Sequence, residues 1–240
     1  MNTKPKLVLI GNGMAGARCL EELLELTPDK YDISVIGEEQ FVTYNRIMLS
    51  PVLAGEKTIE NIMLTNEQWY QQHAITLYKG DRATRINRSR RIVHTASGQQ
   101  IHYDRLVIAT GSRPARIPVP GNDLKNIFTF RDINDVNTML DLSRKKNHVA
   151  VIGGGLLGLE AANGLRSQGM RVTVVHSSEY LLNKQLDETA ARLLEQTLLK
   201  KGIEFIFNAR TVRLDGNEAG EVDRLYFKDG RSLGADMVVM

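Results

Sequence analysis

Two segments of the chain share one pattern of apolar and polar positions. Each starts with a short apolar run rich in β-branched residues, passes through three glycines into a helical pattern, and ends in a second apolar run. The segments are residues 6–39 and 148–179. A continuous apolar run is typical of a parallel strand buried on both faces, and two parallel strands need a crossover, usually a helix, between them. The pattern therefore predicts one β-α-β unit in each half of the chain.

The similarity between the halves continues downstream of these units. ITLYKG at 75–80 matches IEFIFN at 203–208, and each precedes short segments typical of antiparallel strands. RLVIATG at 105–111 then matches the apolar run that ends at Met240. Because that last run stops where its counterpart goes on to Ala-Thr-Gly, we expect the natural chain to continue beyond Met240.

Three prolines lie between the halves, at Pro114, Pro118 and Pro120. Proline removes a backbone donor and fixes φ, so this stretch is typical of a connection between domains. We place the boundary near residue 112, which gives domains of residues 1–112 and 113–240, the second truncated in its last strand. Each is predicted to be Rossmann-like, with a parallel sheet, helices and a β-meander, so the fold class is α/β.

Composition and charge narrow the class of protein. Hydrophobic residues make up 42% and charged residues 25% of the 240 residues, as in ordinary globular proteins. A formal net charge of +3 is too small to favour nucleic acid, and the basic cluster Arg88, Arg90 and Arg91 is interpreted as a solvated hairpin tip. No apolar stretch is long enough to span a membrane, so we expect a cytoplasmic protein. Cys19 is the only cysteine, which excludes an internal disulfide and a cysteine-ligated metal cluster, and we identify no metal site.

The three glycines of each unit have different tasks when such a turn binds a dinucleotide. The first permits the tight turn, the second lets the backbone approach a pyrophosphate, and the third lets helix and strand pack closely. The following helix presents its free N–H groups to the phosphates. The predicted binding residues are Gly11, Gly13, Met14, Ala15 and Gly16, and Gly153, Gly155, Leu156, Leu157 and Gly158. Two matches in register make turns without a ligand the weaker interpretation.

The residue that meets the adenosine ribose is expected roughly 20 residues after each turn. In the first unit it is Glu38, whose carboxylate suits ribose hydroxyls, and an ordinary surface acid is the alternative. In the second unit it is His176, neither the acid usual for NAD nor the arginine usual for NADP. A His176 that only caps its strand is an equally open interpretation.

Several stretches together resemble one family. They are LVLIGNGMAGARCLEELL, YNRIMLSPVLAGEKT, YDRLVIATGSRPARIPVPG and VIGGGLLGLEAANGL. The chain resembles the pyridine nucleotide-disulfide oxidoreductases, flavoproteins with two dinucleotide-binding domains that include NADH-dependent ferredoxin and rubredoxin reductases. Within them it is most similar to the N-terminal reductase part of bacterial NAD(P)H-dependent nitrite reductase large subunits, and the resemblance covers all 240 residues.

This resemblance implies cofactors and roles for particular residues. The first glycine turn and Glu38 are expected to bind FAD, and the second turn NAD(P)H. Arg46 matches a basic residue near the flavin and its phosphates, and Glu160 matches a residue near the reactive face of the flavin. An ordinary surface arginine and an exposed first-turn helix acid are the alternatives for these two. Further residues expected to line the FAD site are Ala83, Thr110 and Gly111.

The chain departs from the family pattern in places. Electron-transfer reductases of this fold often carry a lysine that pairs with the glutamate, and here that position is Pro51. No redox cysteine stands near Leu49 and Ser50, so electrons cannot pass to a protein dithiol. Sirohaem and an iron–sulfur cluster are expected only in the remainder beyond Met240.

The function implied is an FAD-dependent module that passes electrons from NAD(P)H to a metal-centre acceptor. The first hypothesis is the electron-input part of a nitrite reductase. The second is a stand-alone NADH:rubredoxin or ferredoxin-type reductase, and the third is a nucleotide-binding fragment without catalysis. The expected partners are NAD(P)H and a downstream redox centre or electron-transfer protein, and a homo-oligomer is left open.

Overall fold

The computed structural model describes residues 4–240, and their contacts divide the chain into two units. The first unit contains the residues up to Arg46 together with Glu60–Arg113. The second unit contains Ile47–Ile59 together with Pro114–Met240. Each unit has one parallel sheet and one antiparallel sheet beside it. The α/β class with parallel sheets, predicted from the apolar pattern, is confirmed.

The secondary structure follows the predicted alternation of strands and helices. The helices are α1 (Met14–Leu26), α2 (Leu49–Leu53), α3 (Glu67–Gln72), α4 (Ile133–Ser143), α5 (Leu156–Ser167) and α6 (Glu188–Lys200). The strands are β1 (Lys6–Ile10), β2 (Asp32–Gly37), β3 (Thr76–Lys79), β4 (Ala83–Asn87), β5 (Ile92–Thr95), β6 (Gln100–His102), β7 (Arg105–Ile108), β8 (Ile127–Phe128), β9 (His148–Ile152), β10 (Arg171–Val175), β11 (Ile203–Ile206), β12 (Thr211–Gly216), β13 (Val222–Phe227), β14 (Ser232–Gly234) and β15 (Met237–Val239).

The first unit is built on a four-stranded parallel sheet in the order β3-β2-β1-β7. Leu7 and Leu9 of β1 pack in one cluster with Leu20 of α1, while Val8 and Ile10 pack in another with residues of the antiparallel sheet β4-β5-β6. Both faces of the parallel sheet are therefore covered, which explains why β1 is apolar throughout instead of alternating.

The second unit repeats this plan with a five-stranded parallel sheet in the order β11-β10-β9-β15-β8. Val149, Ala150 and Val151 of β9 are all buried. An antiparallel sheet of β12, β13 and β14 contributes Leu225 and Phe227 to the cluster around Ala150. The two halves that are similar in sequence are thus also similar in topology.

The segment Ile47–Ile59 packs with the second unit, although its sequence position lies inside the first predicted domain. Leu53 of α2 is fully buried, and a Cβ on Gly164 of α5 would lie 2.8 Å from the Leu53 Cγ atom. Gln168 Nε2 donates a hydrogen bond to the Leu53 carbonyl at 2.9 Å. The single boundary near residue 112 did not anticipate this packing, because contacts between distant segments leave no periodic pattern in the sequence.

The basic cluster lies where the sequence predicted it. Arg88, Arg90 and Arg91 are exposed in the turn between β4 and β5. Cys19 is exposed on α1. Among residues 4–240, no helix has both the length and the apolar character needed to cross a membrane.

Candidate functional site

The two glycine-rich turns lie at the carboxyl ends of β1 and β9. Gly11 has φ +107° and Gly153 has φ +120°, values at which a residue with a Cβ is strained. The N–H of Gly11 donates to the Ile36 carbonyl at 2.8 Å, and the N–H of Gly153 donates to the Val175 carbonyl at 2.9 Å. Each turn is therefore bonded to the end of the neighbouring parallel strand in the same way.

The third glycine of each turn permits close packing of the helix. A Cβ on Gly16 would lie 2.4 Å from the Gly11 carbonyl oxygen, and a Cβ on Gly158 would lie 2.0 Å from the Gly153 carbonyl oxygen. Both distances are far shorter than a carbon–oxygen contact allows. Only glycine therefore lets α1 and α5 start directly above their turns, as the sequence pattern required.

The second glycine of each turn faces open space. Apart from the adjacent residues, no atom of the described chain lies within 4 Å of a Cβ built on Gly13 or Gly155. These glycines are the N-caps of α1 and α5, and neither helix has a side-chain cap. Free N–H groups and the positive end of the helix dipole therefore face a cradle that an anionic group fits. Ala15, Leu156 and Leu157 are exposed at these helix starts, and Met14 is half-buried.

Glu38 is exposed directly after β2, a position from which a carboxylate is free to accept hydrogen bonds. The carboxylate of the next residue, Glu39, already has two partners. It accepts a hydrogen bond from the Tyr44 hydroxyl at 2.7 Å and forms an ion pair with Arg46 at 2.5 Å. The Arg46 guanidinium also lies 5.1 Å from the centroid of the Tyr44 ring. Glu39 and Tyr44, which the sequence analysis missed, therefore hold the Arg46 charge beside the end of β2.

His176 lies directly after β10 and is turned towards the second glycine turn. Its side chain is only 9% exposed, and Nδ1 accepts a hydrogen bond from the Gly154 N–H at 3.1 Å. Burial lowers the pKa of His176, and the Tyr180 backbone carbonyl opposes this shift. A ring that accepts at Nδ1 is neutral and carries its proton on Nε2. The buried imidazole therefore stabilises the second glycine turn by accepting the Gly154 N–H.

Glu160, near the start of α5, has a neutral partner. Ser50 Oγ of α2 donates a hydrogen bond to Glu160 Oε2 at 2.6 Å. Pro51, at which the resemblance implied a lysine, has no charge to pair with Glu160, and the partner is the hydroxyl of the preceding residue. The pair lies at a cavity of about 400 Å³ between α2, α5 and α6, whose walls are mostly apolar side chains such as Leu159 and Leu198. The separation of 110 residues hid this pair from sequence reasoning.

The segment after β7 passes directly beside the first turn. A Cβ on Gly11 would lie 2.3 Å from the Ala109 carbonyl oxygen and 2.8 Å from the Thr110 nitrogen. Thr110 and Gly111 are exposed at this point, so the structure brings them to the first glycine turn. Ala83, at the start of β4, packs against the cluster that contains Ile10. Ala83 therefore lies on the face of the parallel sheet to which Val8 and Ile10 of β1 point.

Comparison with known proteins agrees with this geometry. The model of the pyridine nucleotide-disulphide oxidoreductase family matches residues 5–240. An assimilatory nitrate reductase electron transfer subunit of Bacillus subtilis (strain 168) is 46% identical over 237 residues, which are 99% of this chain and 30% of that protein. An NAD(P)H nitrite reductase of the same organism is 45% identical, with 99% of this chain and 29% of that protein covered. The chain thus spans about 30% of the length of these relatives.

Solved structures show the same fold. A chain of a covalent putidaredoxin reductase–putidaredoxin complex superposes with a TM-score of 0.90 and 27% identity, over 99% of this chain and 58% of that one. The family model covers nearly the whole chain, including both glycine turns. The chain therefore belongs to the pyridine nucleotide-disulphide oxidoreductase family, as its sequence predicted.

Proposed function

We propose that this chain is the FAD- and NAD(P)H-binding part of an oxidoreductase that supplies electrons to a nitrite-reducing centre. The observation that carries the proposal is the open cradle at Gly13 and at Gly155, each at the start of an uncapped helix. Two such cradles in one chain suit two dinucleotides. The names of the relatives at 46% and 45% identity support the nitrite-reducing role.

The first unit fits FAD. Its turn offers the free N–H groups at the start of α1 to a pyrophosphate, and Glu38 is free to accept hydrogen bonds from a ribose. Thr110 and Gly111 lie exposed beside that turn, where they are available to a bound flavin nucleotide. When bound, FAD supplies the exchange between hydride and single-electron chemistry that the amino acids cannot perform.

The second unit fits NAD(P)H. Gly155 is the N-cap of α5, as Gly13 is the N-cap of α1. The His176 ring holds the second turn by accepting a hydrogen bond from the Gly154 N–H. Ser50 holds one carboxylate oxygen of Glu160 at the edge of an apolar cavity. An apolar wall with a few fixed polar groups orients a flat ring and keeps water from it. These residues bind and position the coenzyme, and none acts as a nucleophile.

Reduction of nitrite itself is assigned to a part of the protein outside these 240 residues. An iron–sulfur centre needs several thiolates, and the chain has only Cys19. A second candidate function is a stand-alone reductase, supported by the similarity to a reductase solved in a covalent complex with putidaredoxin. The higher identity to the nitrate- and nitrite-reducing proteins favours the first candidate.

Two substitutions test the assignment and serve as controls for each other. Gly13 and Gly155 have extended backbone conformations that valine adopts, and no described atom lies where its Cβ would be. The fold is therefore expected to tolerate Gly13→Val and Gly155→Val while each fills its own cradle. Gly13→Val is expected to lose FAD binding and keep NADH binding, and Gly155→Val the reverse, in titrations of flavin and nicotinamide fluorescence. Normal FAD affinity in Gly13→Val would contradict the proposal.

A further inference from the structure

A buried polar network holds the residue between the first two glycines of the first turn. Asn12 Oδ1 accepts hydrogen bonds from the Tyr70 hydroxyl at 2.8 Å and from the Thr43 hydroxyl at 3.0 Å. Thr43 Oγ1 also lies 3.2 Å from the backbone oxygen of Asn12. Thr65 Oγ1 in turn donates to the Tyr70 hydroxyl at 3.3 Å. The network thus joins the turn to α3 and to the segment that precedes it.

The hydroxyl groups of this network lie in the interior of the first unit. Thr43 is completely buried, Tyr70 is 2% exposed and Thr65 is 8% exposed. The Tyr70 ring packs in the same apolar cluster as Leu9. The oxygen side of the Asn12 amide is hydrogen-bonded in this network, while its buried Nδ2 has no hydrogen-bond partner among the described residues. Hydrogen bonds between buried groups restrict the side chains to one arrangement. The geometry of Asn12 is therefore what this network specifies.

Each hydroxyl of the network has one proton to donate. The Tyr70 hydroxyl accepts from Thr65 and donates to Asn12 Oδ1, and its oxygen also lies 3.1 Å from Thr43 Oγ1. Thr43 Oγ1 lies within hydrogen-bond distance of both oxygens of Asn12, so Thr43 and Tyr70 together surround the Asn12 carbonyl groups. A Cβ on Gly37 would lie 3.0 Å from the Asn12 Cβ atom, so the end of β2 confines the side chain as well. Asn12 is held by both hydrogen bonds and packing.

We infer that Asn12 positions the first glycine turn for the pyrophosphate of FAD, and that Tyr70 and Thr43 act through Asn12. The inference rests on the proposed FAD site. Gly13 follows Asn12 directly and is the residue at which the cradle opens. A turn that is ordered before the ligand arrives loses less conformational entropy on binding. Asn12, Thr43 and Tyr70 are positioning residues, and their loss is expected to weaken FAD binding through the shape of the turn.

Tyr70→Phe tests the inference because it removes one hydroxyl and keeps the ring. Tyr31→Phe is the matched control, since Tyr31 is a half-buried tyrosine that packs against the same apolar cluster. FAD titration of the 240-residue chain should show affinity about five- to tenfold weaker for Tyr70→Phe, the effect of about one hydrogen bond, and unchanged for Tyr31→Phe. NADH affinity should be unchanged in both variants.

Further variants separate positioning from a merely structural role. Asn12→Ala should weaken FAD binding, and Tyr70→Phe added to Asn12→Ala should weaken it no further. Thr43→Ser keeps the hydroxyl donor and should retain the FAD affinity of the parent chain. Thr43→Val removes that donor and should weaken FAD binding. A Tyr70→Phe chain that melts at a lower temperature without FAD yet binds FAD normally would overturn the inference, as would independent effects of Asn12 and Tyr70.

The outcome also separates this inference from the proposed function. A parent chain that binds no FAD contradicts the FAD site itself, and the inference with it. A parent chain that binds FAD, together with a Tyr70→Phe chain of equal affinity, contradicts only the positioning role of the network.

Discussion

At the scale of single residues, the buried ring of His176 makes the second glycine turn sensitive to pH. The neutral ring accepts the Gly154 N–H, and a protonated ring has no free lone pair for it. Burial lowers the pKa of His176 in the folded chain below its unfolded value of about 6.5. The unfolded chain therefore binds this proton first as the pH falls. The stability that neutral His176 contributes is fully present above about pH 6.5 and is lost as the pH falls towards the folded-state pKa.

We predict that His176→Asn reduces the loss of unfolding free energy on acidification below about pH 6.5. The slope of the unfolding free energy against pH should become shallower. It should not reach zero, because burial also lowers the pKa of His148. Urea unfolding between roughly pH 5 and 8 measures the slope, over the range in which histidine titrates. His102→Asn, at an exposed position of β6, is the control and should leave it unchanged. Equal slopes for the parent and His176→Asn would show that His176 does not link protons to folding.

At the scale of elements, the short helix α2 packs in the second unit through its buried side chains, of which Leu53 is the most deeply buried. Leu53 is fully buried, and a Cβ on Gly164 of α5 would approach it to 2.8 Å, so the two helices are in close contact. Ser50, which bonds to Glu160, is carried by the same helix. Packing of Leu53 thus places Ser50.

Leu53→Ala is expected to lower the free energy of unfolding by about 2–5 kcal/mol, since it leaves a cavity between α2 and α5. Leu193→Ala is the matched control, because Leu193 lies on α6 and is 62% exposed. Its effect should stay within about 0.5 kcal/mol. Chemical denaturation followed by circular dichroism gives both values. A loss for Leu53→Ala no larger than that of the control would mean that Leu53 does not hold α2 in place.

At the scale of the whole molecule, the chain combines the two open turns at Gly13 and Gly155, proposed to bind FAD and NAD(P)H, with a single cysteine. We predict that residues 1–240, supplied with FAD and NADH, transfer electrons to ferricyanide and form no ammonia from nitrite. Electron transfer needs only the two bound cofactors, whereas nitrite reduction needs a metal centre that Cys19 alone cannot hold. Gly155→Val should abolish the ferricyanide reaction above a flavin-only background. Ammonia produced faster than with free flavin would place the nitrite chemistry in this chain after all.

The local parts of this protein could be predicted from its sequence. Strands that are apolar throughout predicted parallel sheets, and the glycine spacing predicted the turns with Gly11 and Gly153 at positive φ. Glu38 was predicted as a ribose-binding residue from its distance to the first turn, and the structure places it, exposed, directly after β2. These features depend on residues close together in the chain, whose steric and hydrophobic requirements appear as short, regular patterns.

Only the tertiary structure decided which distant side chains meet. It brought Ser50 to Glu160, joined Tyr70 to Asn12, and turned His176 onto Gly154. It also placed the segment Ile47–Ile59 in the second unit. Serine, tyrosine and histidine occur in many surroundings, and a hydrogen bond between residues 58 or 110 positions apart imposes no repeat on the sequence between them. The sequence thus determined where the cradles form, and the packing of distant segments determined what holds them in shape.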